Sequence, residues 1–220
     1  MRKPWLGVAM LVAMWGFALA VLGRLPAEVP SHWNLQGEAD AWMPRMPGAF
    51  IAPIIATGVW ALLHALPWLD PRRRNVEHNR GDRSLIANLI VLFCALLEGV
   101  TLGAALGWPV AAAGWVQAGL GLLLIGIGNY LPRIRSNWWI GIRTPWTLDS
   151  ERVWRETHRV GGRAFVAGGV LLVAAALLPA PVREWVTVAV LVPMVVLPIA
   201  YSFVAWRREG AGHPLNGSRP

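Results

Sequence analysis

Apolar residues gather into six runs, at about 5–24, 48–69, 84–106, 110–131, 163–180 and 185–206, separated by shorter polar or turn-rich connectors. A helix rising 1.5 Å per residue needs about 20 apolar residues to cross a hydrocarbon core of roughly 30 Å. Each run therefore reads as a spanning helix, the fifth being short, and the pattern predicts an all-α polytopic membrane fold with six transmembrane helices. Between the first two runs, Pro26, Pro30, Pro44 and Pro47 forbid a long helix, while Asn34 and Gly37 supply turn chemistry, so residues 25–47 should form a compact extended loop. After the fourth run, Asn129, Pro132 and Pro145 interrupt helix. Thr147 or Asp149 is then placed to cap an amphipathic helix, in which Trp154 and His158 share a face at i and i+4 while Arg152, Arg155 and Arg159 take the remainder. Such a helix is expected to lie along an anionic leaflet. The connector over 132–162 is too short to bury a core of its own and must fold against the bundle or the membrane surface. The predicted organisation is a two-helix unit over 1–70, a four-helix unit over 71–206 and a disordered tail over 207–220.

Composition agrees with the membrane reading. The chain is 55% hydrophobic and only 15% charged, with a mean hydropathy of +0.47, whereas a soluble domain carries about 25% charged residues. Its net charge of +8 rests almost wholly on arginine, Lys3 being the single lysine, which excludes a P-loop or Schiff-base lysine. The basic balance is read as topology and not as direct nucleic-acid contact. With both termini cytoplasmic, seventeen of the twenty basic residues fall inside and only Arg24, Arg45 and Arg183 outside. The start "MRKPWLGVAMLVAMWGFALA" also has the look of a signal peptide, but its apolar run is longer than the roughly 7–15 residues usual for one, and an uncleaved first span is expected. A lone cysteine, Cys94, excludes an internal disulfide, a CxxC redox site and a cysteine-rich zinc site.

Three groups of residues carry candidate chemistry. Glu98 is the only carboxylate well inside a span. An ionised carboxylate there costs roughly 2.5–3.5 kcal/mol, so it should be protonated, paired or facing a wet cavity. The tight turn between spans three and four puts Gln117 at the same depth, and either a polar ligand or ion site or an interhelical hydrogen bond fits the pair. Gly99, Gly103 and Gly107 form a small-residue stripe on the same span and predict close helix packing. On the outer side, His32, Glu38 and Asp40 cluster, in a spacing that matches no specific metal motif and suits surface ion pairs. On the inner side, membrane anchoring explains the arginines and tryptophans, but not Asn137, Thr144 or the turn Gly141 to Trp146.

Those residues resemble the hallmark of the SdpI-type bacterial membrane proteins, a family named for an immunity protein against a secreted killing peptide. The inner block comprises Gly128, Asn129, Pro132, Asn137, Gly141, Arg143, Thr144, Pro145, Trp146, Thr147, Trp154, Thr157 and His158. An outer block, Leu25 and Pro26 through Pro30, His32, Trp33, Asn34, Gly37 and Asp40, is similar to the uncharacterised N-terminal membrane domain often fused ahead of it. The resemblance implies a multi-pass protein of the bacterial inner membrane that protects against a toxin peptide outside and holds a small repressor protein inside, with no enzymatic activity and no cofactor. The alternative is a small transporter or channel using Glu98. A membrane enzyme is disfavoured, since HExxH, GxSxG and P-loop motifs are absent and only His158, Arg143 and Glu156 could form a polar cluster.

Overall fold

Proline opens the first helix at a position whose amide has no intrahelical acceptor, giving α1 (Pro4–Val21), which tightens into a 3-10 turn over Leu22–Arg24. The computed structural model describes residues 3–34 and 37–211. The predicted extended loop is ordered as a ribbon: β1 (Glu28–Trp33) pairs antiparallel with β2 (Ala39–Pro44), Val29 opposite Met43 and Pro30 opposite Trp42, with an irregularity around His32. To this extent the fold departs from all-α. Proline bars helix here, and both strands are edges, where a missing amide donor is tolerated. Val29 anchors the ribbon by burying completely among Val21, Leu25, Ala49 and Leu102.

The remaining elements are helical: α2 (Arg45–Leu69), α3 (Arg73–His78), α4 (Arg80–Ala105), α5 (Ala112–Tyr130), α6 (Pro145–Asp149), α7 (Glu151–Ala175) and α8 (Ala180–Ala211). Helix α4 packs against α1, α2 and α5; α5 packs on α7, and α7 on α8. Leu11, Met14, Ala56, Val91 and Cys94 close the first group, and Leu124, Leu172 and Met194 the second.

Among the described residues, five helices are long and apolar enough to cross a membrane: Pro4–Arg24, Arg45–Leu69, Arg80–Ala105, Ala112–Arg133 and Ala180–Gly210. The fifth of the six predicted spans does not stand as an element of its own. It is the far half of α7, whose near half is the predicted amphipathic helix. The helix stops at Ala175 rather than residue 180, so the stretch from residue 163 rises only about 20 Å. The amphipathic half packs onto the protein through the face expected to meet a leaflet. Its apolar face, Val153, Trp154, Thr157 and His158, is buried in protein, while Arg152, Arg155 and Arg159 are exposed.

Close packing occurs on a different glycine stripe from the one predicted. Gly99 and Gly107 face open space and Gly103 faces the Trp108 ring. The tight contact joins α5 to α7: a methyl group on Gly121 would fall 2.6 Å from the Gly169 carbonyl oxygen, and one on Gly162 would fall 2.7 Å from that of Gly128. The predicted tail begins late, since residues 207–211 continue α8, and residues 212–220 lie outside the described residues.

Candidate functional site

The inner motif condenses around Asn137, which is 1% exposed. Its amide nitrogen donates to the carbonyls of Arg135 (2.9 Å) and Ile140 (3.0 Å), and its Oδ1 accepts from the amides of Trp139 (2.9 Å) and Ile140 (2.7 Å). One side chain thereby satisfies four backbone groups of an irregular loop that has no ladder to pair with. The loop then turns at Gly141, whose φ of +121° suits glycine. A side chain there would also run into the His158 ring and the edge of Trp154.

His158 is held from two sides. Its Nδ1 lies 2.8 Å from the Trp154 carbonyl oxygen and its Nε2 accepts the Ile142 amide at 3.0 Å. A carbonyl only accepts and an amide only donates, so the proton sits on Nδ1 and the ring is neutral. Burial pushes its pKa from 6.5 down to about 4, the bond to Trp154 opposing this. The two rings stack with centroids 4.0 Å apart, and Trp154, itself fully buried, donates its indole N–H to the Ile134 carbonyl at 2.7 Å. The same device recurs on α2, where Trp60 and His64 stack at 4.1 Å with His64 Nδ1 2.8 Å from the Trp60 carbonyl oxygen. Thr157 is also fully buried, with no hydrogen-bond partner for its hydroxyl.

Thr144 caps α6 rather than Thr147 or Asp149. Thr144 and Thr147 exchange side-chain-to-backbone bonds of 3.2 and 2.9 Å, a reciprocal cap, and Ser150 separately caps α7 through Val153. The predicted caps miss because the chain makes two helices here, one capped by Thr144, a turn before Thr147, and the other by Ser150, the residue after Asp149. Thr144 also reaches Ser202 on α8 at 3.1 Å. Trp146 packs on Phe203 with ring centroids 5.0 Å apart, and Trp206 donates to Asp149 at 2.9 Å. By contrast, Arg143 is exposed and donates to the Trp138 carbonyl at 2.7 Å. Pro145 and Pro132 are exposed, and Asn129, also exposed, bonds back to Ile125 within its own helix. The polar cluster of Arg143, Glu156 and His158 is not assembled: Glu156 pairs with Arg152 at 3.0 Å and accepts from Tyr201.

The outer motif is the ribbon and its tip. His32 and Asp40 lie 2.5 Å apart, and the Glu38 amide donates to Asn34 Oδ1 at 2.9 Å. Gly37, with a φ of +91°, lies against Ala113 at the start of α5. Beneath the ribbon is a cavity of about 500 Å³, to which Pro30, His32, Trp33 and Asn34 contribute together with Glu98 and Gln117. Both predicted intramembrane polar residues thus meet one space but do not bond to each other. The Gln117 amide donates to the Leu172 carbonyl (3.2 Å) and accepts from Thr187 (3.2 Å). Equal depth put the two side chains in register, and the competing carbonyl on α7 took the amide.

The model of the SdpI/YfhL protein family matches residues 133–202, the stretch containing the Asn137 loop, α6, α7 and most of α8. Those residues are similar to the SdpI/YfhL family. A domain of unknown function (DUF1648) matches residues 9–57, which hold most of α1, the ribbon and the start of α2. The whole chain is 24% identical over 220 residues to "Immunity protein SdpI" of Bacillus subtilis (strain 168), covering 100% of both chains. No solved structure matches. With five apolar helices and this kinship, the chain is a multi-pass protein of a bacterial membrane.

The SdpI-family loop is clamped by a segment outside both matched regions, one that sequence reasoning treated only as a source of positive charge. Asp70, 5% exposed, accepts the Trp138 amide at 2.9 Å. Arg72 donates to the Ser136 hydroxyl and, at 3.0 Å, to the Leu148 carbonyl, with its guanidinium 5.9 Å from the Trp138 ring centre. Asn75 donates to the Ser136 carbonyl at 2.8 Å, while Asn79 and Arg135 bond to each other at 3.2 and 3.3 Å. A run of Asp, Asn and Arg in a loop has too many uses for this pairing to be read locally. The inner hub is therefore built from both halves of the chain.

Proposed function

We propose that this chain is a membrane immunity protein that lets its cell survive a secreted killing peptide, and that it also acts as a receptor whose inner hub holds a small repressor protein. The observation that carries the reading is the end-to-end similarity to an immunity protein. In this reading the chain crosses six times with both termini cytoplasmic, α7 making the short fifth crossing. The distribution of arginines supports that orientation. The outer ribbon and the inner hub are then separate contact faces at opposite ends of one bundle, as a receptor working across the membrane needs.

Within the hub the residues divide by what they touch. Asn137, Thr144, Thr147, Trp154 and His158 are buried and bonded to the protein itself. Arg143 and Pro145 face outward beside the half-exposed Trp138 and Trp139. We assign the first group to holding the turn and the second to partner contact, with no direct role for nucleic acid. The test is survival of a sensitive host exposed to a purified killing peptide. Cells expressing the chain should outlive cells carrying the empty vector, and equal killing at confirmed membrane expression would refute the immunity role.

A further inference from the structure

We propose that the cavity beneath the outer ribbon binds a hydrophobic amine, with the Glu98 carboxylate receiving the ammonium group. A volume of about 500 Å³ lies inside the range of small-molecule sites, about 300–1,000 Å³. Its walls include Ile51, Ile55, Leu97, Val116 and Leu120, which suit an apolar body. Glu98 is 3% exposed, and its Oε1 is buried without a hydrogen-bond partner.

Four of the other polar groups of the cavity are already engaged, and Ser31 and Thr101 add only neutral hydroxyls. Gln117 is held by Leu172 and Thr187, Thr187 also donates to the Arg183 carbonyl at 2.7 Å, His32 faces Asp40, and Asn34 Oδ1 takes the Glu38 amide. Among the described lining residues Glu98 alone carries a fully buried acceptor atom with no partner, and a buried acceptor left unmade is costly. A charged N–H donor fills that capacity and balances the charge in one step. Arg183, the remaining charged wall residue, has the wrong sign to receive a cation. A bare metal ion fits poorly, because hard cations collect about six to eight oxygen ligands and Glu98 is the one carboxylate lining this space. An alkylammonium needs a single carboxylate and an apolar wall. Its source is either an aminophospholipid headgroup or a free amine arriving from outside, and the inference is independent of the immunity reading.

The test uses the purified full chain in phosphatidylcholine nanodiscs with radiolabelled decylamine, counting saturable binding above that of protein-free discs. The wild type should bind decylamine, and unlabelled decylamine should displace it at least about tenfold better than decanol, the worth of one charge-assisted hydrogen bond. Glu98→Gln should lose that preference, and Val116→Trp should reduce binding by filling the space with Glu98 intact. Replacing part of the lipid with phosphatidylethanolamine separates the sources: competition assigns the site to a lipid amine, and its absence to a free amine. Equal displacement by decanol and decylamine on the wild type overturns the proposal without any variant. So does an undiminished preference in Glu98→Gln.

Discussion

At the scale of single residues, the hub is a polar network in which each buried group has a defined partner, with Thr157 the exception among the motif residues. Asn137 illustrates what a sequence conceals: its spacing to Gly141 marks a turn, but four bonds to the backbone of its own loop become visible only when that loop is folded. His158 is more legible, because Trp154 one helical turn earlier predicts a shared face. Its neutral tautomer is not, since that depends on the Ile142 amide sixteen residues away. It sits on the arginine-rich half of α7, outside the five helices apolar enough to span, and its proton balance has a defined sign. Its native pKa of about 4 lies below the ordinary 6.5, so between those values the unfolded chain binds a proton that the folded chain refuses. Stability is then full above about pH 6.5, falls as pH drops toward 4 and levels off below, by about 3 kcal/mol in all. Thermal unfolding of the purified protein across this window should show that slope, and His158→Gln should flatten it. An identical slope in the variant would mean that other groups control the acid response.

At the scale of elements, the apolar runs predicted five of the spanning helices, because length and hydropathy alone decide whether a segment suits hydrocarbon. The fifth run was harder to read. Nothing local separates the arginine-rich start of α7 from its apolar end, and the two halves share one unbroken helix. Glycine stripes were legible as a class but not as a choice: Gly99, Gly103 and Gly107 repeat every four residues, whereas the pairs that are used, Gly121 with Gly128 and Gly162 with Gly169, repeat every seven, and both repeats return to one helix face. Only the neighbour decides which stripe is filled, and it is the α7 backbone against α5. Two substitutions separate these roles. Gly162→Ala places a methyl group against the Gly128 carbonyl and should destabilise by about 1–3 kcal/mol. Gly99→Ala points into open space and should be neutral or slightly stabilising, as helix propensity favours alanine by up to about 1 kcal/mol. Equal melting temperatures for the two would remove the backbone contact as the bond between α5 and α7.

At the scale of the whole molecule, two connectors far apart in sequence, 70–79 and 134–150, interlock at one end of the bundle, while the ribbon covers a cavity at the other. Charge counting placed both connectors on one side of the membrane, and their bonding to each other adds the reason they stay ordered there. The cavity had no signature in the sequence beyond Glu98, because its walls come from separate helices and the ribbon. Orientation is open to direct measurement. In a chain carrying one added cysteine, with Cys94 replaced, an impermeant maleimide should label position 40 in intact cells and position 143 only after the inner membrane is breached. Labelling in the reverse order would invert the topology. The central claim is that the chain protects its cell and that the exposed turn of the hub does so through contact. Survival under a killing peptide, measured for the wild type and Arg143→Ala at equal membrane abundance and equal melting temperature, tests it most directly. The account predicts that the wild type survives and that Arg143→Ala dies with the empty vector; full survival of Arg143→Ala would contradict it.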